Sequence, residues 1–320
     1  MDVNARIYVA GHRGLVGSAL MRKLTAAGYG NLLVRSHKEL DLTNQAAVRD
    51  FFVQEQPEHV ILAAAKVGGI LGNSTYPAEF IQQNLAIQTN VIHEAWRAGV
   101  KRLLFLGSSC IYPRECPQPM REEYLLTGPL EATNRPYAVA KIAGIEMCWA
   151  YNRQYGTRFL AVMPTNLYGP GDNYDLETSH VIPALIRKFH EAKMSGAKEV
   201  VVWGTGAPRR EFLYSDDLAD GCLFLMNLPD GACDSLFSST SPPLINIGCG
   251  QDLSVKELAR LVCETIGFHD KIVWDATKPD GTPRKLLDVS RLHALGWQQR
   301  ITLEEGIKNA YLDFKVEFSG

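Results

Sequence analysis

The passage from residue 6 to residue 27 constrains the fold more than any other stretch. Residues 6–10 form a short apolar run, Gly11, Gly14 and Gly17 space a turn, and residues 16–27 carry a helical pattern. A strand that enters a glycine-spaced turn and leaves as a helix is the opening of a βαβ unit. The rhythm then repeats. Apolar runs at 32–35, 59–63, 101–107 and 159–163 alternate with helical patterns at 44–54, 77–98 and 136–155. Strands separated by helices at this spacing imply a parallel sheet covered on both faces.

After Gly169 the rhythm changes. Residues 170–173 have turn chemistry, 180–193 reads as a helix, 200–203 as a strand, and shorter elements follow at 216–228, 254–266, 272–274 and 303–314. The expectation is an α/β chain: a Rossmann-type doubly wound parallel sheet with a smaller α/β lobe over the carboxyl ends of its strands, where open sheets bind ligands. Residues 1–170 are expected to form the larger domain, with 205–245 returning to it. The smaller lobe takes 171–204 and 246–320.

Composition narrows the function classes. Of 320 residues 46% are hydrophobic and 21% charged, and the formal net charge of -2 gives no basic field for nucleic acid or an anionic membrane. No apolar run reaches the roughly 18 residues that would span a bilayer. The seven cysteines are scattered without C-x-x-C pairs, so neither a disulfide framework nor a metal site is expected, and a reducing cytoplasm fits best.

The glycine turn carries the first functional reading. Gly11 permits the tight turn, Gly14 lets backbone approach a pyrophosphate, and Gly17 lets helix and strand pack closely, with the helix N-terminus facing the negative charge. The end of the second strand reads Val34-Arg35-Ser36-His37-Lys38, with no carboxylate before Glu39. Arg13 and Arg35 are therefore expected to pair a 2′-phosphate, which favours NADP(H) over NAD.

A proton-handling group follows. Tyr137 and Lys141, four apart on a helix, share a face, and a cation beside a phenol lowers its pKa from about 10. Tyr311 and Lys315 repeat the spacing and read as a solvated helix face. The first pair differs in company, because Ser108 ends a strand whose carboxyl end should face the same carbonyl oxygen. If strand geometry persists, Cys110 points along the same side as Ser108.

The glycine turn, Ser108-Ser109 and Tyr137-x-x-x-Lys141 resemble the extended short-chain dehydrogenase/reductases that act on nucleotide sugars. Ala64-Ala65-Lys66-Val67-Gly68-Gly69, Ser108-Ser109-Cys110-Ile111-Tyr112-Pro113 and Pro164-Thr165-Asn166-Leu167-Tyr168-Gly169 are similar to segments of the GDP-L-fucose synthase family. So are Ser179-His180-Val181-Ile182-Pro183, Val202-Trp203-Gly204-Thr205-Gly206 and Lys278-Pro279-Asp280-Gly281-Thr282-Pro283-Arg284-Lys285, and the likeness covers nearly the whole chain.

The resemblance implies conversion of GDP-4-keto-6-deoxy-D-mannose to GDP-L-fucose, by inversion at carbons 3 and 5 and NADPH-dependent reduction of the 4-ketone. It implies Ser108, Tyr137 and Lys141 as the reductive triad, with Cys110 as base and an imidazolium at His180 as acid in the epimerisation. For the cofactor it adds Leu15, Val16, Asp41 and Leu42 near the first turns, then Leu106, Gly107 and Ser109. Pro164, Thr165, Asn166, Leu167 and His180 complete that set. For the nucleotide it implies Trp203 against the base and Lys188 and Arg210 on the diphosphate, with Asp280 and Lys285 in the same lobe. It further implies a homodimer packed through the helices near 77–98 and 136–155. A 4-epimerase or dehydratase of the same superfamily is the alternative, and a redox-sensing binding protein a third reading that an intact triad disfavours.

Overall fold

The strands follow one another as β1 (Ile7–Ala10), β2 (Leu32–Leu33), β3 (His59–Leu62), β4 (Arg102–Leu106), β5 (Phe159–Pro164) and β6 (Asn166–Tyr168). Then come β7 (Glu199–Trp203), β8 (Arg209–Tyr214), β9 (Leu244–Ile247), β10 (Asp252–Ser254), β11 (Lys271–Asp275) and β12 (Arg284–Lys285). The helices are α1 (Leu15–Ala26), α2 (Gln45–Glu55), α3 (Ile70–Thr75), α4 (Pro77–Arg97), α5 (Arg135–Tyr155) and α6 (Val181–Ser195). They continue with α7 (Ser215–Asn227), α8 (Asp230–Cys233), α9 (Val255–Ile266), α10 (Ser290–Ala294) and α11 (Leu303–Phe318). This computed structural model describes residues 1–176, 178–278 and 280–318, without the side chains of Ile70, Leu71 and Cys233; Pro279 of the late motif lies outside them.

Six strands make one parallel sheet in the order β2-β1-β3-β4-β5-β9. All residues of β1, β3, β5 and β9 are buried, as a sheet covered on both faces requires. Alternate residues feed two cores. Tyr8, Val60, Leu103 and Phe105 pack with residues of α2, α4 and α5. Ile7, Val9, Ile61 and Leu104 pack with those of α1 and α7 on the other face.

A third core belongs to the smaller lobe, where Phe189, Val262 and Phe314 bring together α6, α9 and α11. There β8 pairs in parallel with β6 and β12 and antiparallel with β10, while β7 and β11 form a separate parallel pair. Ser254 and Glu257 close a reciprocal capping box that starts α9. The chain changes lobes at different points from those expected. The segment 209–214 lies in the smaller sheet as β8, and Trp297, beside α10, packs in a core of the larger one. The exit from β5 into β6 delivers the carboxyl end of the large sheet directly to β8.

Candidate active site

The glycine turn behaves as its spacing requires. Gly11 has φ +86°, and a Cβ there would lie 2.7 Å from Ala64 N; at Gly17 it would lie 2.0 Å from the Gly11 oxygen. At Gly14 the nearest atom would be 3.7 Å away, so open space lies over that residue. Gly14 caps α1 in an extended conformation with no side-chain cap, and the first turn carries no acid. The leading amides of α1 are thus left for an outside acceptor, which fits a diphosphate.

The neighbouring cations are less simply arranged. Arg13 is exposed. Arg35 does not hold its fork open for a 2′-phosphate as expected: it pairs with Glu55, donates to the Val34 carbonyl at 2.8 Å and lies 5.4 Å over the Phe51 ring. Glu39 accepts from the amide and hydroxyl of Ser36, which hold its carboxyl below the usual range, helped by Arg13 and Arg35. Asp41 accepts from Thr43, and the Leu42 carbonyl accepts from Asn90 at 2.9 Å, so both serve to order the adjoining turn.

Strand geometry does not persist beyond β4. Ser108 instead caps a short 3-10 turn over Ser109–Ile111, and its hydroxyl oxygen accepts from the Cys110 amide at 3.4 Å. Cys110 reaches Ser108 through that cap, not through strand alternation. Gly107 is forced by its neighbours, because a Cβ there would fall 1.8 Å from Met163 Cε.

Lys141 is 3% exposed, donates to the Leu106 carbonyl at 2.7 Å and sits 5.7 Å from the centre of the Tyr137 ring. Burial lowers its pKa to about 8, with Cys110 opposing that shift. Tyr137 departs from the expectation of an acidified phenol. Burial drives its pKa well up, Cys110 adds to the rise, and the bond with Ser108 holds it back. The residue as a whole remains partly accessible. The phenol keeps its proton and its hydroxyl lies by that of Ser108, so the two can face one carbonyl oxygen.

Burial also pushes the Cys110 thiol up, opposed by the Ser108 hydroxyl and by the ammoniums of Lys285 and Lys141. His180 caps α6, and the protein around it lowers its pKa although the ring is solvent-accessible. The imidazolium that the resemblance implies for the proton-returning step is thus harder to form here than on a free histidine. No hydrogen bond, ion pair or ring contact joins His180 to the triad among the described residues. The link is indirect: carbonyls of residues 178 and 179 lie within 4.0 Å of a Gly69 Cβ position, Gly68 abuts Phe80, and the Phe80 ring meets Tyr137 edge-on at 6.3 Å.

In the smaller lobe Trp203 is 60% exposed, with the ammoniums of Lys188 and Lys278 each 5.3 Å from its ring centre. Lys188 donates to the Val201 carbonyl, and burial lowers its pKa. Arg210 is tied to the Arg209 carbonyl and faces Asp280, which itself accepts from the amide and hydroxyl of Thr205. Asp280 thus pins a turn beside Arg210. Lys285 does not sit with this group alone: it lies opposite Arg210 in the β12–β8 pairing and on the wall of a cavity that also contains Cys110.

Sequence reasoning missed Glu211. Wholly buried, it accepts from the amides of Gly250 at 2.7 Å and Leu287 at 2.9 Å, while its carbonyl accepts from Thr165 and Asn166. A carboxylate leading into the apolar run Phe212-Leu213-Tyr214 was the available signal. Pro164 and Leu167 flank the same crossing, Pro164 ending β5 and Leu167 packing into the large lobe.

An uncapped helix behind a glycine turn, with a serine just past the end of β4 and a tyrosine and a buried lysine on the helix α5 beside it, defines a nicotinamide-dependent oxidoreductase of the short-chain dehydrogenase/reductase type. Residues 7–247 match the NAD dependent epimerase/dehydratase family. GDP-L-fucose synthase 1 of Arabidopsis thaliana is 59% identical over 97% of this chain and 93% of its own. GDP-L-fucose synthase of Escherichia coli is 54% identical over 96% and 95%. A structure of a GDP-mannoheptose C4 reductase from Campylobacter jejuni with NADP bound superposes with a TM-score of 0.89 at 42% identity, covering 98% and 99% of the two chains. The chain belongs to the NAD dependent epimerase/dehydratase family and, within it, to the GDP-L-fucose synthases.

Proposed function

We infer that the protein converts GDP-4-keto-6-deoxy-D-mannose to GDP-L-fucose, with NADP(H) as cofactor. The observation that carries this reading is the placement of Cys110 against the hydroxyl of Ser108 and within the electrostatic reach of Tyr137 and Lys141. A plain 4-reductase needs the triad alone. Carbons 3 and 5 both flank the ketone, so their protons are acidified, and a thiolate beside the carbonyl-binding hydroxyls can take one from either. Ser108 and Tyr137 hold the enolate oxygen meanwhile. His180, whose pKa burial lowers, gains basicity once an anionic substrate lies beside it, and returns a proton to the opposite face.

The cofactor, when bound, supplies the hydride that reduces carbon 4. In that step Tyr137 gives its phenolic proton to the forming alkoxide, and Lys141 fixes the geometry through the Leu106 carbonyl. The uncapped start of α1 would hold the diphosphate, with Arg13 an exposed cation available to the 2′-phosphate. Trp203 offers a flat face for guanine, and Lys188 and Arg210 offer charge to the substrate's diphosphate.

A homodimer through α4 and α5 belongs to the same reading. Those helices leave Val139 38% and Tyr155 44% exposed, with Trp96 stacked on Tyr155. Cytoplasmic residence is part of it too; no helix among the described residues is long and apolar enough to cross a membrane. Incubation with NADPH and the keto sugar in deuterated water tests the function. Stoichiometric NADPH oxidation with deuterium at carbons 3 and 5 is expected, and reduction without label would remove the epimerase half.

A further inference from the structure

Ser109, Cys110, Arg114, Glu131 and Lys285 share the wall of one small cavity beside the triad. Lys285 arrives there by a long-range pairing, since β12 runs parallel to β8 and sets Lys285 opposite Arg210. The other cations on this wall are already occupied: Arg284 pairs with Asp252 at 2.5 Å and Arg114 with Glu115 at 3.3 Å. Lys285 is different. Among the described residues its ammonium makes no hydrogen bond or ion pair, although the residue is half-buried.

We propose that Lys285 is a positioning residue for epimerisation: across this cavity its ammonium holds the Cys110 sulfur as the thiolate, a task separate from gripping the nucleotide. The proposal rests on the reading of Cys110 as base. A buried thiol resists ionisation, and the thiolate is the form that accepts a proton. The groups facing Cys110 are the Ser108 hydroxyl, the Tyr137 phenol and the two ammoniums of Lys285 and Lys141, of which Lys285 acts more strongly. Lys141 is already committed to the Leu106 carbonyl. Lys285 in turn faces Cys110, Cys116 and Glu131, which favour its charge, and Arg210, which opposes it. Glu131 is kept in place by the Thr133 hydroxyl at 2.6 Å and the Thr133 and Asn134 amides. Sulfur and ammonium are both penalised by burial, so each ionises more readily when the other does. In the reaction the thiolate takes the proton from carbon 3 or 5, sulfur becomes S–H, and the electron pair of the C–H bond moves to the enolate oxygen.

The test is the pH dependence of Cys110 alkylation by iodoacetamide, followed on the peptide by mass spectrometry, in the wild type, Lys285→Met, Lys285→Gln and Lys285→Arg. A midpoint about one pH unit or more higher in the Met and Gln variants, restored by Arg, is expected. Cys148 and Cys222, both fully buried, report folding in the same digest; a Met variant that exposes them is set aside and the Gln variant decides. Alongside, deuterium entry into the keto sugar is measured with NADP⁺ in place of NADPH. The Met or Gln variant should exchange about tenfold more slowly at pH 7 and recover as pH rises. An unmoved midpoint with only a raised KM overturns the proposal and returns Lys285 to the nucleotide. Absence of exchange in the wild type would instead overturn the functional reading, while the alkylation midpoints still decide whether Lys285 charges the thiol.

Discussion

Two tyrosine–lysine pairs of identical spacing sit on two helices of this molecule. On α5 the Lys141 ammonium lies 5.7 Å from the Tyr137 ring centre; on α11 the Lys315 ammonium lies 5.0 Å from that of Tyr311. Helical periodicity makes the two pairs alike. Their surroundings do not. Lys141 is enclosed and bonded to the end of β4, and the Tyr137 phenol meets Ser108 and Cys110. Tyr311 shares a 3.1 Å hydrogen bond with His190 in an aromatic group that includes Phe314. Spacing builds the pair, and the strand ends around it turn it into chemistry.

That contrast can be broken most forcefully at the phenols. Tyr137→Phe should lower ketone reduction by about 10³, within the usual range for a lost general acid, while Tyr311→Phe should leave it within about twofold. Stopped-flow NADPH oxidation with both variants checks this, and equal losses would erase the distinction. Next, Cys110→Ser should lower deuterium exchange at carbons 3 and 5 by about 10² yet still reduce the unepimerised ketone. Product stereochemistry read by NMR decides it; a fucose-configured product would reject Cys110 as base.

The lysines give a stability test with a defined sign. Lys141 has its pKa lowered from 10.5 to about 8 by burial. Below pH 8 both folded and unfolded chains carry the proton, and the folded state bears the full cost of the buried charge. As pH rises from 8 to 10.5 the folded state releases its proton first, and the cost disappears. Lys141→Met should therefore gain stability relative to wild type at pH 7, by up to about 3 kcal/mol less the lost bond to Leu106, and this advantage should shrink toward pH 10.5. Urea melts at the two pH values measure it, with Lys315→Met, on the other pair, as the comparison. The smallest effect is expected at Tyr311→Phe, which forfeits one hydrogen bond and should cost about 1 kcal/mol in the same melts.

Much of the large lobe was legible because its signals are local. Gly11, Gly14 and Gly17 announce a turn within seven residues, and the buried strands are continuous apolar runs. The Tyr137–Lys141 face follows from periodicity alone. What was not legible depends on partners far away in the chain. Strand alternation at Cys110 was overruled by a side-chain cap from Ser108, a competition between local hydrogen bonds and extended backbone that periodicity does not show. The lowered pKa of His180 and the raised one of Tyr137 follow from burial, which no spacing reveals. Arg35 was read as free because its partner Glu55 lies a helix away. For Lys285 the resemblance implies a place in the nucleotide lobe, and β12, two residues long, leaves no pattern in sequence that would show its pairing with β8.

Glu211 has a mechanical consequence. One side chain and its own carbonyl tie the crossing from β5, the turn at Gly250 and the exit from β12 into a single knot inside the molecule. The lobes therefore cannot swing apart as two jaws on a free hinge without tearing a buried carboxylate from its amides. The floor stays rigid, and a chain that must hold one sugar through two inversions and a reduction keeps its thiol, phenol and ammoniums in fixed register throughout.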